Sequence, residues 1–399
     1  MAETKPASSN LVFALCFLAA LAEGYDLQSA GLTAPKFAPL FHLDPAHLSW
    51  VFSANTFGLF LGAIIGGRLA DSVGRRSVLI ASMLTFGVFS IATALVNDSN
   101  ALIATRFLTG LGLGGALPNI IALTAESGRP QDAAMRVTML SAAMPFGGTI
   151  AGGLLVGIPN LDWSIIFWVG GAIPILIARV MMLTLPESEP FQRHRAAGTR
   201  VKLWEALAGD GRLVTSVLLW TSFFFTLLLL YLLLNWLPSL LVGKGFSKPE
   251  ASMVSMAFTI GGGIGGVLLG AIARMPMRWL LYLVTWLGMA AGMVWLALLG
   301  HDLVLGSAAG FIIGFFVIGG QFLLYGLSSE LYPSQMRGTG VGFAVGIGRL
   351  GSIAGPLFAG VLLVAGRDAS TVMLAVVPMI FAALAAALPL VIRRRQTLH

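Results

Sequence analysis

Four charged residues interrupt long apolar stretches of this 399-residue chain: Glu23, Asp26, Arg106 and Arg349. If those stretches cross a membrane, each charge costs at least about 2.5–3.5 kcal/mol, so each such residue is a functional candidate. A buried carboxylate can bind and release a proton, and a guanidinium can hold a carboxylate through two parallel hydrogen bonds. Glu23 and Asp26 are three residues apart and share a helix face. The alternative, an ion pair that only fixes packing, is weakened by the cost of desolvation.

Uncharged polar residues occur in other apolar stretches of the chain. Tyr231 and Asn235 are four residues apart, and Gln321 and Tyr325 repeat that spacing. Hydrocarbon offers these side chains no hydrogen-bond partner, so we expect all four to line a cavity.

The histidines are poorly placed to carry a proton through a membrane. All five fall in loops or at the C-terminus: His42, His47, His194, His301 and His399. We therefore expect a carboxylate to carry the proton, with Asp26 as the first candidate and Glu23 as the second.

The composition requires that these residues be held by membrane helices. Hydrophobic residues make up 57% and charged residues 10% of the chain, whereas soluble domains carry about 25% charged residues. A helix needs about 20 apolar residues to cross the hydrocarbon core, and the period-2 alternation of barrel strands is missing. We predict an all-α membrane protein with about twelve spans, at 10–32, 48–70, 77–96, 100–127, 134–157, 163–185, 212–242, 250–273, 278–299, 303–328, 338–365 and 370–392.

The basic residues indicate how the spans are oriented. With the N-terminus inside, 18 Lys and Arg residues face the cytoplasm and 4 face outward. This asymmetry follows the positive-inside rule with both termini cytoplasmic, so the net charge of +7 reflects membrane topology rather than nucleic-acid binding. Asp26 and Arg106 would each lie about six residues from the outer end of their spans, roughly 9 Å deep. They could meet if the first and fourth spans adjoin.

The chain divides into two similar halves. A polar linker at 186–211 separates an N-terminal six-helix bundle at 1–185 from a C-terminal bundle at 212–399. Three pairs of residues at the ends of corresponding spans recur at a spacing of 201 to 204 residues: Gly67 and Gly270, Glu126 and Glu330, and Arg136 and Arg337. This spacing predicts a parallel duplication, with a substrate site between the halves near the bilayer midplane.

Residues 67–76 read Gly-Arg-Leu-Ala-Asp-Ser-Val-Gly-Arg-Arg and fall between the second and third spans. This segment resembles the signature loop of the major facilitator superfamily, and the resemblance implies that superfamily's two-bundle fold. Asp71 could cap the positive end of a facing helix, while Arg75 anchors the loop at the headgroups. We expect the residues of this loop and of its counterparts at the same side to act in gating: Asp71, Arg75, Glu126, Glu330 and Arg337.

Other segments narrow the resemblance to one family within that superfamily. Glu23-Gly24-Tyr25-Asp26, Arg106, Asn235-Trp236-Leu237-Pro238 and Gly348-Arg349-Leu350-Gly351 resemble the aromatic acid:proton symporters. With Ala116-Leu117-Pro118-Asn119, the chain is most similar to the bacterial 3-(3-hydroxyphenyl)propionate transporters. The wider family usually has Asp at the position of Glu23.

The resemblance implies a secondary active importer that carries a proton and an aromatic carboxylic acid by alternating access. In this interpretation Asp26 binds the proton with Arg106 as its partner, and Arg349 binds the carboxylate. Tyr325, Gln321, Asn235 and Tyr231 surround the ring. We expect the protein to lie in the bacterial inner membrane as a monomer. A proton-coupled exporter of hydrophobic compounds is the alternative, although it would have less use for Arg349.

Neither an enzyme nor an ATP-driven pump is indicated by the sequence. It contains no metal-ligand spacing, catalytic triad or phosphate-binding loop, so we expect no cofactor and no metal. Gly110–Gly115 and Gly261–Gly266 match the GxGxxG pattern, but neither follows a strand in a βαβ unit. Close helix packing through small residues explains these glycines better.

Overall fold

A computed structural model describes residues 9–126, 133–185, 212–273, 277–332 and 337–396. These residues form α-helices joined by short turns, as predicted. The chain divides into two compact units, Met1–Gly198 and Thr199–His399. The predicted linker at 186–211 lies outside the described residues.

The described residues of the first unit form six helices. They are α1 (Ser9–Leu40), α2 (Pro45–Val73), α3 (Arg75–Ala94), α4 (Ser99–Glu126), α5 (Ala133–Gly157) and α6 (Trp163–Thr184). Helix α1 packs on α5, α2 packs on α4, and α3 packs on both α4 and α6.

The second unit repeats this arrangement. Its helices are α7 (Leu213–Gly243), α8 (Lys248–Ile272), α9 (Arg278–Leu298), α10 (Leu303–Leu331), α11 (Arg337–Val364), α12 (Ala369–Ala375) and α13 (Val377–Gln396). Helix α7 packs on α11, α8 packs on α10, and α9 packs on both α10 and α13. The same pairs therefore meet in both units, with α12 and α13 together in the place of α6.

Eleven stretches of the described residues are long and apolar enough to cross a membrane. The one remaining predicted span, at 134–157, corresponds to α5. This helix has 25 residues but a shorter apolar segment, at 142–157. The predicted end of the first span was wrong, because α1 continues to Leu40 through Pro35 and Pro39. The last predicted span is broken at Val376, since Pro378 has no N–H to continue the helix.

Glycines set the closest helix contacts, and these contacts recur in both units. A Cβ on Gly110 would overlap the carbonyl oxygen of Asn55, and a Cβ on Gly314 would overlap that of Phe258. The first contact joins α2 to α4, and the second joins α8 to α10. Corresponding residues of the two contacts are 203 or 204 positions apart in the sequence. The glycine-rich runs thus pack helices, as the sequence predicted.

A second pair of glycine contacts gives the same spacing for other helices. A Cβ on Gly147 would overlap the Leu21 carbonyl oxygen, and a Cβ on Gly351 would overlap that of Phe224. These contacts join α1 to α5 and α7 to α11. The repeat therefore extends through the helices that carry Asp26 and Arg349.

The helices differ in how their N-termini are capped. The helices that begin on the predicted outer side have a side-chain cap: Asp44 for α2, Asp98 for α4, Asp162 for α6, Ser247 for α8, Asp302 for α10 and Asp368 for α12. The caps of α3, α7 and α9 are Gly74, Arg212 and Met277, which make no such bond. Carboxylates favour helix N-termini, and five of these six caps are aspartates.

Asp162 illustrates the electrostatics of these caps. Its carboxylate accepts a 2.8 Å hydrogen bond from the Ser164 backbone N–H. Hydrogen bonds from the Ser164 side chain and backbone lower the pKa of Asp162. Because the pKa is lower in the folded state, the ionised cap stabilises α6 at neutral pH. That contribution is lost as the pH falls through the lowered pKa.

We predict that Asp162→Ala lowers the stability of the protein by about 1 kcal/mol at neutral pH, because α6 loses its cap. Asp162→Asn is the matched control, since an amide oxygen also accepts the bond. Thermal unfolding in detergent measures both variants. An equal loss for Ala and Asn would show that the charge, rather than the cap, stabilises α6.

Candidate functional site

The structure brings Asp26 and Arg106 together inside the first unit. Arg106 NH1 donates to Asp26 Oδ1 at 3.1 Å, and NH2 donates to Oδ2 at 2.8 Å. Both side chains are completely buried. The guanidinium also lies 5.4 Å from the centre of the Phe167 ring. The fork of Arg106 therefore matches the carboxylate in the strong bidentate geometry.

Close packing of α1 against α5 helps to place this pair. Gly24 and Gly147 bring the backbones of α1 and α5 into contact, because a Cβ on either residue would overlap the other helix. Helix α1 extends to Leu40, so Asp26 lies fourteen residues, or about 21 Å, from its end. The six residues expected between Asp26 and the outer end of its span were therefore too few for α1, whereas the depth of Asp26 in the membrane stays a prediction. The expected contact of Asp26 with α4 forms.

Ser90 is a third member of this group, and the sequence analysis missed it. Its hydroxyl lies 3.1 Å from Asp26 Oδ1 and 3.3 Å from the Phe167 carbonyl oxygen, and it is completely buried. Close approach of Gly87 on α3 to Gly171 on α6 brings Ser90 to this position. A serine in an apolar helix gives little signal, because its hydroxyl can bond to its own helix backbone.

Glu23 lies one turn before Asp26 and is only 1% exposed. The two terminal NH groups of Arg106 bond to Asp26 rather than to Glu23. The structure thus distinguishes the two carboxylates that the sequence left as alternatives. Asp26 is hydrogen-bonded to Arg106, and Glu23 is a buried residue one turn away on the same helix.

In the second unit, Arg349 on α11 contacts Tyr231 on α7. Arg349 NH1 donates to the Tyr231 hydroxyl at 2.5 Å, and the guanidinium lies 5.8 Å from the ring centre. Arg349 is 8% exposed and Tyr231 is 6% exposed. A hydrogen bond of 3.0 Å from Trp236 Nε1 to the Pro356 carbonyl also joins these helices. The guanidinium is therefore buried against a phenol that can both donate and accept.

The other three predicted cavity residues are not all directed toward Arg349. The Asn235 side chain donates to the Tyr231 carbonyl at 2.7 Å, within its own helix. Gln321 donates to the Tyr325 hydroxyl at 3.3 Å, also within one helix. Tyr325 packs edge-on against Phe223 of α7 at 5.5 Å. Gln321 and Tyr325 therefore form a second polar pair on α10.

Phe223 is a further residue that the sequence analysis passed over. Besides Tyr325, it borders Gly348, where a Cβ would lie 3.3 Å from the Phe223 Cβ. Phe223 thus connects the Tyr325 pair to the residue next to Arg349. Aromatic residues are too frequent in this chain for any single one to stand out by sequence.

The residues expected to act in gating are described only in part. Glu330 accepts two hydrogen bonds of 2.9 Å from Arg278, between α10 and the start of α9. Arg75 is half-buried at the start of α3. The side chains of Asp71, Glu126 and Arg337 lie outside the described residues. The segment 67–76 is helical except at Gly74, whose φ of 100° favours glycine.

The described histidines belong to neither group of residues. His47 belongs to the first turn of α2 rather than to a loop, and its ring lies 2.9 Å from Asp44. His301 lies 3.1 Å from Glu250. His194 and His399 are outside the described residues. Within the described ranges, no cluster of three His, Cys, Asp or Glu side chains could hold a metal ion.

The two units differ where the charges lie. In the register of the glycine contacts, Asp26 corresponds to Leu229 and Arg106 to Gly310, whereas Arg349 corresponds to Pro145. The duplicated scaffold therefore carries a carboxylate–arginine pair in the first unit and a single buried arginine in the second.

A duplicated bundle of membrane helices with buried charges is the architecture of a secondary transporter. The sequence profile of the Major Facilitator Superfamily matches residues 16–356. The chain belongs to this superfamily.

Relatives of known function extend over nearly the whole chain. It is 41% identical to the 3-(3-hydroxy-phenyl)propionate transporter of Escherichia coli, over 99% of this chain and 98% of that protein. It is 33% identical to the 4-hydroxybenzoate transporter PcaK of Pseudomonas putida, over 91% and 88% of the two chains.

Solved structures share the fold at low sequence identity. A nucleoside transporter, NupG, has a TM-score of 0.78 and 13% identity, covering 96% of this chain and 99% of that one. A D-xylose-proton symporter has a TM-score of 0.74 and 18% identity, covering 94% and 96%. The chain is a multi-span membrane protein of the transporter fold.

We predict that Arg106→Ala destabilises the protein by about 3–5 kcal/mol, because Asp26 is left buried without its cation. Adding Asp26→Asn to that variant should recover part of the loss, since an amide carries no charge to desolvate. Thermal unfolding of the two single variants and the double variant gives the coupling between the residues. Additive losses would mean that the pair does not interact in the folded protein.

Proposed function

We propose that this protein is a secondary active importer that carries a proton and an aromatic carboxylic acid into the cell. The buried bidentate pair of Asp26 and Arg106 is the observation that supports proton coupling. An ionised carboxylate attracts the arginine, and protonation removes that attraction. The strength of the contact between Asp26 and Arg106 can therefore change with the protonation state of Asp26.

Arg349 is the proposed binding residue for the carboxylate of the substrate. It lies in the low-dielectric interior, where a substrate anion can offset the cost of its charge. Tyr231 contacts the guanidinium at 2.5 Å, so its hydroxyl could donate to a carboxylate held there. This arrangement favours an anion over the neutral hydrophobic compound of the alternative exporter.

The relatives supply the aromatic part of the proposed substrate. Two of them are named as transporters of hydroxylated aromatic acids. Gln321 and Tyr325 could bond to a ring hydroxyl, because together they offer both donors and acceptors. We propose 3-(3-hydroxyphenyl)propionate or a similar phenylpropionate or benzoate as the substrate.

Transport in this proposal proceeds by alternating access. Loaded with proton and substrate, the carrier reorients and releases both, and the empty carrier returns with Asp26 ionised. The gating role of the residues at the predicted cytoplasmic side is part of the proposal: Asp71, Arg75, Glu126, Glu330 and Arg337. The ion pair between Glu330 and Arg278 supports a role for ion pairs in gating at this side.

The proposed location is the bacterial inner membrane, with both termini in the cytoplasm and a monomer as the working form. The concentration of basic residues at one end of the helices supports this orientation.

Uptake into vesicles tests the proton coupling. We expect an imposed inward proton gradient to drive accumulation of 3-(3-hydroxyphenyl)propionate, and a protonophore to abolish it. Asp26→Asn should abolish accumulation but retain substrate exchange, because an amide mimics the protonated acid.

Glu23→Gln is the matched control for Asp26→Asn and should accumulate substrate. If Glu23→Gln separates exchange from accumulation while Asp26→Asn behaves normally, the proton is carried by Glu23. Accumulation by the native protein with the proton gradient dissipated and no other ion supplied would refute proton coupling.

Arg349→Lys should weaken substrate binding by roughly ten- to a hundredfold although the charge is kept. An ammonium cannot reproduce the two parallel bonds of a guanidinium, and losing one charge-assisted bond costs about 1.5–3 kcal/mol. Binding of the acid and its primary amide to native protein and Arg349→Ala measures the contact directly. If the acid and the amide lose affinity equally on Arg349→Ala, Arg349 does not bind the carboxylate.

A further inference from the structure

Ser90 has a hydrogen-bonding capacity that Arg106 lacks. Among the described residues, the side-chain oxygens of Asp26 have three hydrogen-bonding donor atoms within reach: Arg106 NH1, Arg106 NH2 and Ser90 Oγ. A guanidinium has only donors, whereas a hydroxyl both donates and accepts. When Asp26 is ionised, all three groups can donate to it. When Asp26 is protonated, Ser90 is the one of these three groups that can accept its new O–H.

The Phe167 carbonyl gives the Ser90 proton a second acceptor. It lies 3.3 Å from the Ser90 oxygen, compared with 3.1 Å for Asp26 Oδ1. A rotation about the Cβ–Oγ bond can therefore direct the hydroxyl proton to α6 instead of α1. The hydroxyl oxygen then keeps its place beside Asp26, with lone pairs available to the acid.

We propose that Ser90 is a positioning residue of the proton site, whose hydroxyl turns to Phe167 and accepts the hydrogen bond of protonated Asp26. This inference rests on the proposed proton coupling. A proton from solution adds to one Asp26 oxygen and forms one O–H bond. Ser90 keeps its own proton and changes only its acceptor, and Arg106 stays charged. The neutral acid thus remains hydrogen-bonded after its attraction for Arg106 is lost.

An unpartnered acid would be costly in this environment. Asp26 and Ser90 are completely buried. Leaving a buried donor without an acceptor costs the full desolvation free energy of that donor. The ionised form depends less on Ser90, because it still accepts two bonds from Arg106. Removing the hydroxyl should therefore disfavour the protonated form more than the ionised form.

Substituting Ser90 leaves the other titratable groups near Asp26 unchanged. Arg106 faces Asp26 from α4, and Tyr25 and Glu23 precede it on α1. The remaining titratable or charged residues of these helices lie away from Asp26 along the chain: Cys16 and Lys36 of α1, His47, Arg68 and Asp71 of α2, Arg75 and Arg76 of α3, Glu126 of α4, Arg136 of α5 and Arg179 of α6. Along α3 and α6 the nearest of them, Arg76 and Arg179, are about 21 Å from Ser90 and about 18 Å from Phe167.

The pH dependence of proton-driven uptake tests the inference. We expect Ser90→Ala to shift the midpoint for 3-(3-hydroxyphenyl)propionate accumulation by about 1 pH unit toward acid, because the protonated form loses its acceptor. Ser90→Thr keeps a hydroxyl and should retain the native midpoint. Substrate exchange by Ser90→Ala at low pH shows that the variant is folded.

The direction of the shift decides between the roles of Ser90. A shift toward alkaline pH would overturn the inference and make Ser90 only a donor to the ionised carboxylate. An unchanged midpoint would make it a packing residue. If native uptake proves independent of the proton gradient, the proposed function fails separately.

Infrared difference spectra of the purified protein give a readout that does not require transport. The carbonyl band of protonated Asp26, assigned by its loss in Asp26→Asn, should appear at lower pH in Ser90→Ala than in the native protein. A band with native pH dependence in Ser90→Ala would overturn the inference even if transport could not be measured.

Discussion

The cost of burying a charge in a membrane is the constraint on which this structure depends. Asp26 and Arg106 are both completely buried, and either charge without the other would have a large desolvation cost there. Their bidentate contact offsets the desolvation of both groups while Asp26 is ionised. In the proposed function, protonation of Asp26 would remove its attraction for Arg106 and leave Arg106 without a counter-charge in this pair. The proposed proton coupling would follow from this electrostatic cost.

Glycine makes the required contacts possible. Gly24 and Gly147 join α1 to α5, and Gly87 and Gly171 join α3 to α6. A side chain at any of these positions would push the helices apart. The Asp26 contacts depend on distances of 2.8 to 3.1 Å. Charge pairing in this unit is therefore a consequence of packing between backbones.

The duplication shows how one scaffold acquires two kinds of site. The glycine contacts keep the same register in both units, while the charged positions do not. Leu229 and Gly310 stand where the first unit has Asp26 and Arg106, and Pro145 stands where the second has Arg349. Packing residues repeat because both bundles have the same geometry, whereas Asp26, Arg106 and Arg349 have no charged counterpart in the other unit.

The sequence alone determined the all-α class, the approximate number of membrane spans and the charges within them, because hydropathy and charge cost are local properties of the chain. It also predicted the duplication, from residues at helix ends. It missed the continuation of α1 through Pro35 to Leu40, since proline usually ends a helix. Only the tertiary structure distinguished Asp26 from Glu23 as the partner of Arg106, because both share a helix face and the choice depends on α4. Only it joined Ser90 to Asp26 and Tyr231 to Arg349, contacts between residues 64 and 118 positions apart. Such pairs depend on how helices pack, which no local pattern records.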